Sequence, residues 1–147
     1  MGNEESNFEH GTERLIITYK GWRICPLICY DLRFPVWARN RNEYDILIYS
    51  ANWPQTRTDV WNTLLKARAI ENQAYVVGTN RVGVDGNTIV YSGNSQLIDQ
   101  KGNIVASAED YDENIISAQF SYSELMKFRS DFPVLNDADQ FRLDSIS

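Results

Sequence analysis

The chain has 147 residues and a mass of 17.0 kDa, one globular domain's worth of sequence at most. Against 20 Asp and Glu stand 14 Lys and Arg, a net charge of -6, so nothing electrostatic favours nucleic acid or an anionic membrane as a partner. The longest apolar stretch, 24–30, is interrupted by Pro26 and falls far short of the ~20 residues of a membrane helix, so we expect neither a span nor a secretory leader.

Residues 1–14 are polar and acidic, lack apolar periodicity and read as a loop. Two β-branched and aliphatic runs, 15–19 and 23–30, flank Lys20-Gly21, a hairpin signal. The second run stops at Asp31, and Pro35 favours a short helix over 36–42. The nearly continuous apolar run 44–50 predicts a strand buried on both faces, ended by Trp53-Pro54. Over 58–73 the residues Val60, Trp61, Leu64, Leu65, Ala67 and Ile70 recur at helical spacing, with Thr58 or Asp59 as the cap. A strand over 74–79 follows at once, which makes a βαβ unit with a parallel pair.

Beyond Arg81 the runs 95–98, 104–106 and 115–120 are short, and Asp85-Gly86-Asn87 and Lys101-Gly102-Asn103 separate them, the texture of antiparallel hairpins. Residues 121–128 predict a closing helix capped by Ser121 or Ser123. The whole is α/β with a mixed sheet. It carries too few helices to cover both sheet faces, so a partner subunit or further sequence is expected to cover one of them.

Cys25 and Cys29 are the only cysteines. Four residues apart in a strand, their Cα atoms would be ~13 Å apart, beyond the ~7 Å limit of a disulfide. The only histidine, His10, is too distant in sequence to complete a zinc site with them. No metal is expected, and a reducing, cytoplasmic setting fits best.

Cys29 ends a strand just before a helix, a place where a nucleophile can sit on a sharp turn with backbone N–H groups facing a developing oxyanion. The competing reading is a small buried hydrophobe, and Cys25, in mid-strand, takes that reading. A reactive thiol needs a base or a cation beside it. His10 is one candidate, and the carboxylates Glu4, Glu5 and Glu9 are others, unless that acidic stretch is merely a solvated loop. No G-x-S-x-G elbow occurs, and Gly78, Gly83 and Gly86 match no phosphate-binding spacing. Arg33 and Arg68 can each grip a carboxylate or make a structural ion pair, for Arg68 with Glu71. Trp53, after a parallel strand's C-terminal end, either walls a pocket or packs.

The segment Ile28-Cys29-Tyr30-Asp31-Leu32-Arg33-Phe34-Pro35 resembles the nucleophile motif of the nitrilase (carbon-nitrogen hydrolase) superfamily. Tyr44-Asp45-Ile46-Leu47-Ile48-Tyr49-Ser50-Ala51-Asn52-Trp53-Pro54, the stretch from Trp61 to Asn72, Asn80-Arg81-Val82-Gly83 and the hairpin from Gly93 to Gly102 follow the same family in order. Ala51-Asn52-Trp53-Pro54 and Asn80-Arg81-Val82-Gly83 are most similar to the omega-amidases.

The resemblance implies a four-layer α-β-β-α sandwich and a Glu, Lys, Cys triad that hydrolyses amides or nitriles through a thioester. Cys29 takes the nucleophile's place. A second glutamate falls at Glu4, or at Glu5 if the loop differs by one residue. The backbone N–H of Tyr30 joins the oxyanion site, and Trp53 and Arg33 are the substrate-binding candidates. The family's general-base Glu and its Lys match no residue of 1–147, so we expect the C-terminal part of a single hydrolase domain whose N-terminal part is missing. On its own, such a half-sandwich is expected to be nearly inactive.

The implied substrate is a 2-oxo dicarboxylic acid monoamide such as 2-oxoglutaramate, with no cofactor. The partner is a second copy in a homodimer, or the missing half. The alternatives are a non-catalytic binding module and a carbamoylase or ureidopropionase-type hydrolase.

Overall fold

The turn Lys20-Gly21 closes the first hairpin because both residues take positive φ, +49° and +84°, the mirror-image geometry that fits strand twist. It joins β1 (Ile17–Tyr19) to β2 (Trp22–Ile28) as an antiparallel pair. The computed structural model describes Ser6, Gly11 and residues 13–139. β3 (Ile46–Ala51) and β4 (Tyr75–Asn80) extend the sheet parallel to β2, and β7 (Gln96–Ile98) and β8 (Ile104–Ser107) complete it antiparallel, in the order β1-β2-β3-β4-β7-β8. β5 (Val82–Val84) and β6 (Val90–Ser92) form a separate two-stranded ribbon. The sheet is mixed and the fold is α/β, as the sequence predicts.

α2 (Thr58–Asn72) crosses between β3 and β4 and lays Trp61, Leu65, Arg68 and Ala69 onto one face of the sheet. Against them alternate Cys25 and Leu27 of β2, Leu47 and Tyr49 of β3, and Val76 of β4, all buried, the period-2 pattern of a strand. The opposite parity, Ile24, Pro26, Ile46, Ile48, Val77 and Leu97, is apolar but only half-buried. At the amino end of that second face an aromatic cluster joins α3 (Tyr122–Asp131) to the sheet. Tyr75 stacks on Phe120 at 4.1 Å, and Trp22 meets Tyr75 and Tyr122 edge-on at 5.9 and 5.2 Å.

Four sequence-based expectations need correction. β2 ends at Ile28, so Cys29 belongs to a 3-10 helix, Cys29–Arg33, not to the strand. The helix over 36–42 is a single turn, α1 (Pro35–Ala38), because Asn40 turns inward to bond the backbone of Tyr44 and Asn72 at 3.0 Å each. Neither Thr58 nor Asp59 caps α2, since Thr58 is already helical and gives its hydroxyl hydrogen to Gln55 O at 2.9 Å. The run 115–120 forms no strand: Ile115 is almost fully exposed, and Phe120 spends its ring on Tyr75. The closing helix does start at a serine cap, where the side chain of Ser121 accepts the N–H of Glu124.

Candidate active site

Three parallel strands end at the same edge of the sheet, and a loop leaves each one. Register aligns Ile28 of β2 with Ser50 of β3, and Ser50 with Thr79 of β4. The next residues, Cys29, Ala51 and Asn80, therefore form a row across the carboxyl edge, where α/β folds gather ligand-binding groups.

Cys29 carries the sharpest local signature. Its φ is +39°, the left-handed region that costs an L-residue about 1–2 kcal/mol. The turn is held from several sides. The carboxylate of Asp31 accepts the N–H of Ile28 at 2.9 Å, and Phe34 N–H bonds Asp31 O at 3.0 Å. From α2, the buried Arg68 donates to Leu32 O at 2.5 Å and pairs with Glu71 at 2.9 Å, which is the structural ion pair the sequence suggests. Within such a turn the N–H groups of Cys29 and Tyr30 have no helical carbonyl to bond.

The two thiols differ in setting, and both are free. Cys25 is fully buried beneath α2, and burial pushes its pKa up to about 11, the environment of an inert core residue. Cys29 is half-buried.

Trp53 is buried and packs: it lies 5.5 Å from Trp61, and its indole N–H donates to Arg57 O at 2.9 Å. Its outer face receives the guanidinium of Arg33 at 4.9 Å, so the two substrate-binding candidates meet each other. The ring of Tyr30 is exposed and packs edge-on against Phe34 at 5.4 Å. Glu4, its alternative Glu5, Glu9 and His10 lie outside the described residues.

Asn80, which residue-by-residue reading passes over, is the hub of this edge. Its side chain accepts Trp53 N–H at 2.7 Å and donates to Trp53 O at 3.0 Å and Gly93 O at 2.7 Å. Its N–H donates to Ser95 Oγ at 3.0 Å. An Asn at a strand end looks like any turn former and its partners are distant in sequence, so the resemblance marks the segment Asn80-Arg81-Val82-Gly83 but not the role of Asn80 within it. A cavity of about 320 Å³ opens beside it, lined by Arg81, Val82, Ser95 and the acidic segment 112–114 among others. Beyond it the ribbon carries Tyr91, buried, with Arg81 lying over its ring at 4.7 Å and its hydroxyl bonded to Asp85 at 3.0 Å. Among the described residues no His, Cys, Asp and Glu cluster could hold a metal, and no helix is long and apolar enough to cross a membrane.

Residues 2–130 match the family model described as carbon-nitrogen hydrolase. The chain is 51% identical over 143 residues to the omega-amidase YafV of Escherichia coli (strain K12), covering 97% of this chain and 56% of that protein. It is 44% identical over 111 residues to a 2-oxoglutaramate amidase of Paenarthrobacter nicotinovorans, covering 74% of this chain and 37% of that protein. The crystal structure of XC1258 from Xanthomonas campestris, a CN-hydrolase superfamily protein, superposes with a TM-score of 0.92 at 43% identity, over 97% of this chain and 56% of that one. The chain thus spans about half the length of the relatives it matches.

Proposed function

The chain belongs to the carbon-nitrogen hydrolase family, and from that premise we propose that it is the cysteine-bearing part of an amidase that releases ammonia from a 2-oxo dicarboxylic acid monoamide. The observation that carries this reading is Cys29, held at φ +39° on the edge of the parallel strands within the motif that resembles the family's nucleophile. Relatives named omega-amidase and 2-oxoglutaramate amidase support the substrate class.

In this reading the thiolate of Cys29 attacks the amide carbon. The N–H of Tyr30 helps hold the oxyanion, the C–N bond breaks as the nitrogen takes a proton and leaves as ammonia, and a thioester remains. Water then cleaves the thioester, freeing the carboxylate and returning the thiol. The family's general-base Glu and Lys match no residue here and are supplied by the remainder of the assembled enzyme, with Glu4 assisting. Losing one oxyanion donor costs ~3 to 4 kcal/mol and losing the base a further ~100- to 10,000-fold, so the chain alone turns over almost nothing. The half-buried sheet face (Ile24, Ile46, Ile48, Val77) is where the rest of the sandwich packs, and assembled subunits pair as a homodimer. The free thiols suit a reducing, cytoplasmic setting.

The test is ammonia release from 2-oxoglutaramate by this chain alone and by this chain combined with the part of the Escherichia coli relative that it does not cover. We expect activity only in the combination, lost in Cys29→Ala and mostly kept in Cys25→Ala. Activity that survives Cys29→Ala overturns the nucleophile. Release of carbon dioxide with the ammonia points instead to a carbamoylase. Silence of the assembled pair toward every amide leaves the non-catalytic module, a reading favoured by the lack of a matching Glu and Lys.

A further inference from the structure

A monoamide of a dicarboxylic acid keeps one carboxylate, and this chain is itself anionic, at -6. A binding site for that carboxylate needs a fixed cation at a set distance from the thiol. Most arginines of the described residues are already spent. Arg14, Arg23, Arg68 and Arg129 pair with carboxylates, and Arg39 donates to Glu71 O. Arg33 has no carboxylate partner but is half-buried, its guanidinium over the Trp53 ring at 4.9 Å, so it is less open to a ligand than an exposed arginine.

Arg81 is exposed, with the ring of Tyr91 beneath its guanidinium at 4.7 Å and the Asp85 carboxylate near enough to feel its charge. That support is rigid. Tyr91 is buried, its hydroxyl bonds Asp85, and the same carboxylate closes the ribbon by accepting the N–H groups of Asn87 and Ile89, each at 2.9 Å. Stacking occupies the face of a guanidinium and leaves its in-plane N–H donors free, the arrangement that grips a carboxylate with two parallel bonds.

The spacing also fits. β2 and β4 flank β3, so Cys29 and Asn80 stand two strand spacings apart, about 10 Å, and Arg81 follows Asn80. A five-carbon acid amide needs about 5 Å between its two carbonyl carbons, at ~1.5 Å per bond, leaving the remainder to the thiol and guanidinium arms.

We propose that Arg81, braced by Tyr91 and Asp85, binds the distal carboxylate of the substrate and so selects acid amides over neutral ones. This rests on the reading of Cys29 as the nucleophile.

The test uses the 147-residue chain and needs no turnover. Cys29 is alkylated with 5-chloro-4-oxopentanoate, which carries a carboxylate in the substrate's position, and with neutral 1-chloropentan-2-one. In each case the thiolate displaces chloride, and the labelled peptide is identified by mass. We expect the anionic reagent to be preferred, and the preference to fall about 10- to 100-fold in Arg81→Gln, the size of a charge-assisted bonded pair. The neutral reagent's rate in the same variant reports whether the turn is still folded, and Arg57→Gln controls for loss of one exposed charge. An unchanged preference in Arg81→Gln overturns the proposal while leaving Cys29 in place, as does a loss confined to Arg33→Gln. Failure of both reagents to label Cys29 overturns the proposal together with the nucleophile reading.

Discussion

At the scale of single residues, the site stores strain and surrounds it with bonds. Cys29 has positive φ, although a cysteine gains nothing from that region that glycine would not gain more cheaply. The thiol is therefore retained against a local stability cost, which separates the strain from the chemistry and makes it measurable. Cys29→Gly and Cys29→Ala both remove sulfur, but only Ala keeps a Cβ in the left-handed region. We expect the Gly variant to be the more stable by about 1 kcal/mol, read from urea midpoints, and equal midpoints would mean that the turn holds a Cβ without strain. That Cys29 lies where a strand gives way to a helical turn was legible from the sequence, whereas its place inside the turn and its dihedral were not. The bonds that impose the dihedral come from Asp31 nearby and from Arg68, which reaches Leu32 across 36 residues of chain. The segment that holds Asn80 was marked by its resemblance, but the role of Asn80 was illegible for the same reason, since it is set by Trp53, Gly93 and Ser95.

At the scale of elements, the apolar spacing of α2 gave the helix but only part of its contact surface: Trp61 and Leu65 are buried with Arg68, Ala69 and Asn72, whereas Ile70 of the expected stripe is exposed. The surface is tight at Gly78, where a Cβ would come within 2.9 Å of Trp61 Cζ2 and overlap Leu65 Cδ1. Glycine here allows close approach and not an unusual turn. Gly78→Ala should therefore cost about 1–3 kcal/mol by overpacking. Leu65→Ala opens space at the same spot, so the double variant should lose less than the sum of the two single losses. Additive losses in thermal or urea unfolding would show that α2 shifts away instead of clashing. The run 115–120 is the counterexample: its alternation looks like a strand, but a strand exists only through a ladder, and the aromatic stack on Tyr75 takes Phe120 out of contention. A short run carries little information about which edge it meets, whereas the longer, nearly continuous apolar run of β3 marks a central strand, although its Ile46 and Ile48 face is only half-buried and not buried as the run predicts.

At the scale of the molecule, the two ends of the parallel strands do different work. The carboxyl end holds the strained turn and the loops, and the amino end holds an anchor at Asp45. Fully buried, Asp45 takes Arg23 through both oxygens, at 2.6 and 3.0 Å, and Arg129 of α3 at 2.9 Å. Arg129 also donates to Gln73 O and Tyr44 O at 2.9 Å each, so one carboxylate gathers β2, β3, the end of α2 and α3. Burial pushes the Asp45 carboxyl up, but the hydrogen bonds and charge of Arg23, with Arg129 behind them, outweigh it and hold its pKa below the ordinary value. A carboxyl depressed in the folded state stabilises the fold above its unfolded value, near ~3.9, and loses that contribution as pH falls through the folded value. Asp45→Asn leaves Arg129 buried beside a neutral partner, a change that typically costs about 3–5 kcal/mol. Unfolding free energies of wild type and variant should therefore differ by a constant amount from neutral pH down to about pH 5, and the gap should narrow below ~4 as the wild-type carboxyl protonates. A gap that stays constant into the acid limb would mean that Asp45 contributes shape and not charge, and that the elements at this end are held by the aromatic cluster of Trp22, Tyr75, Phe120 and Tyr122.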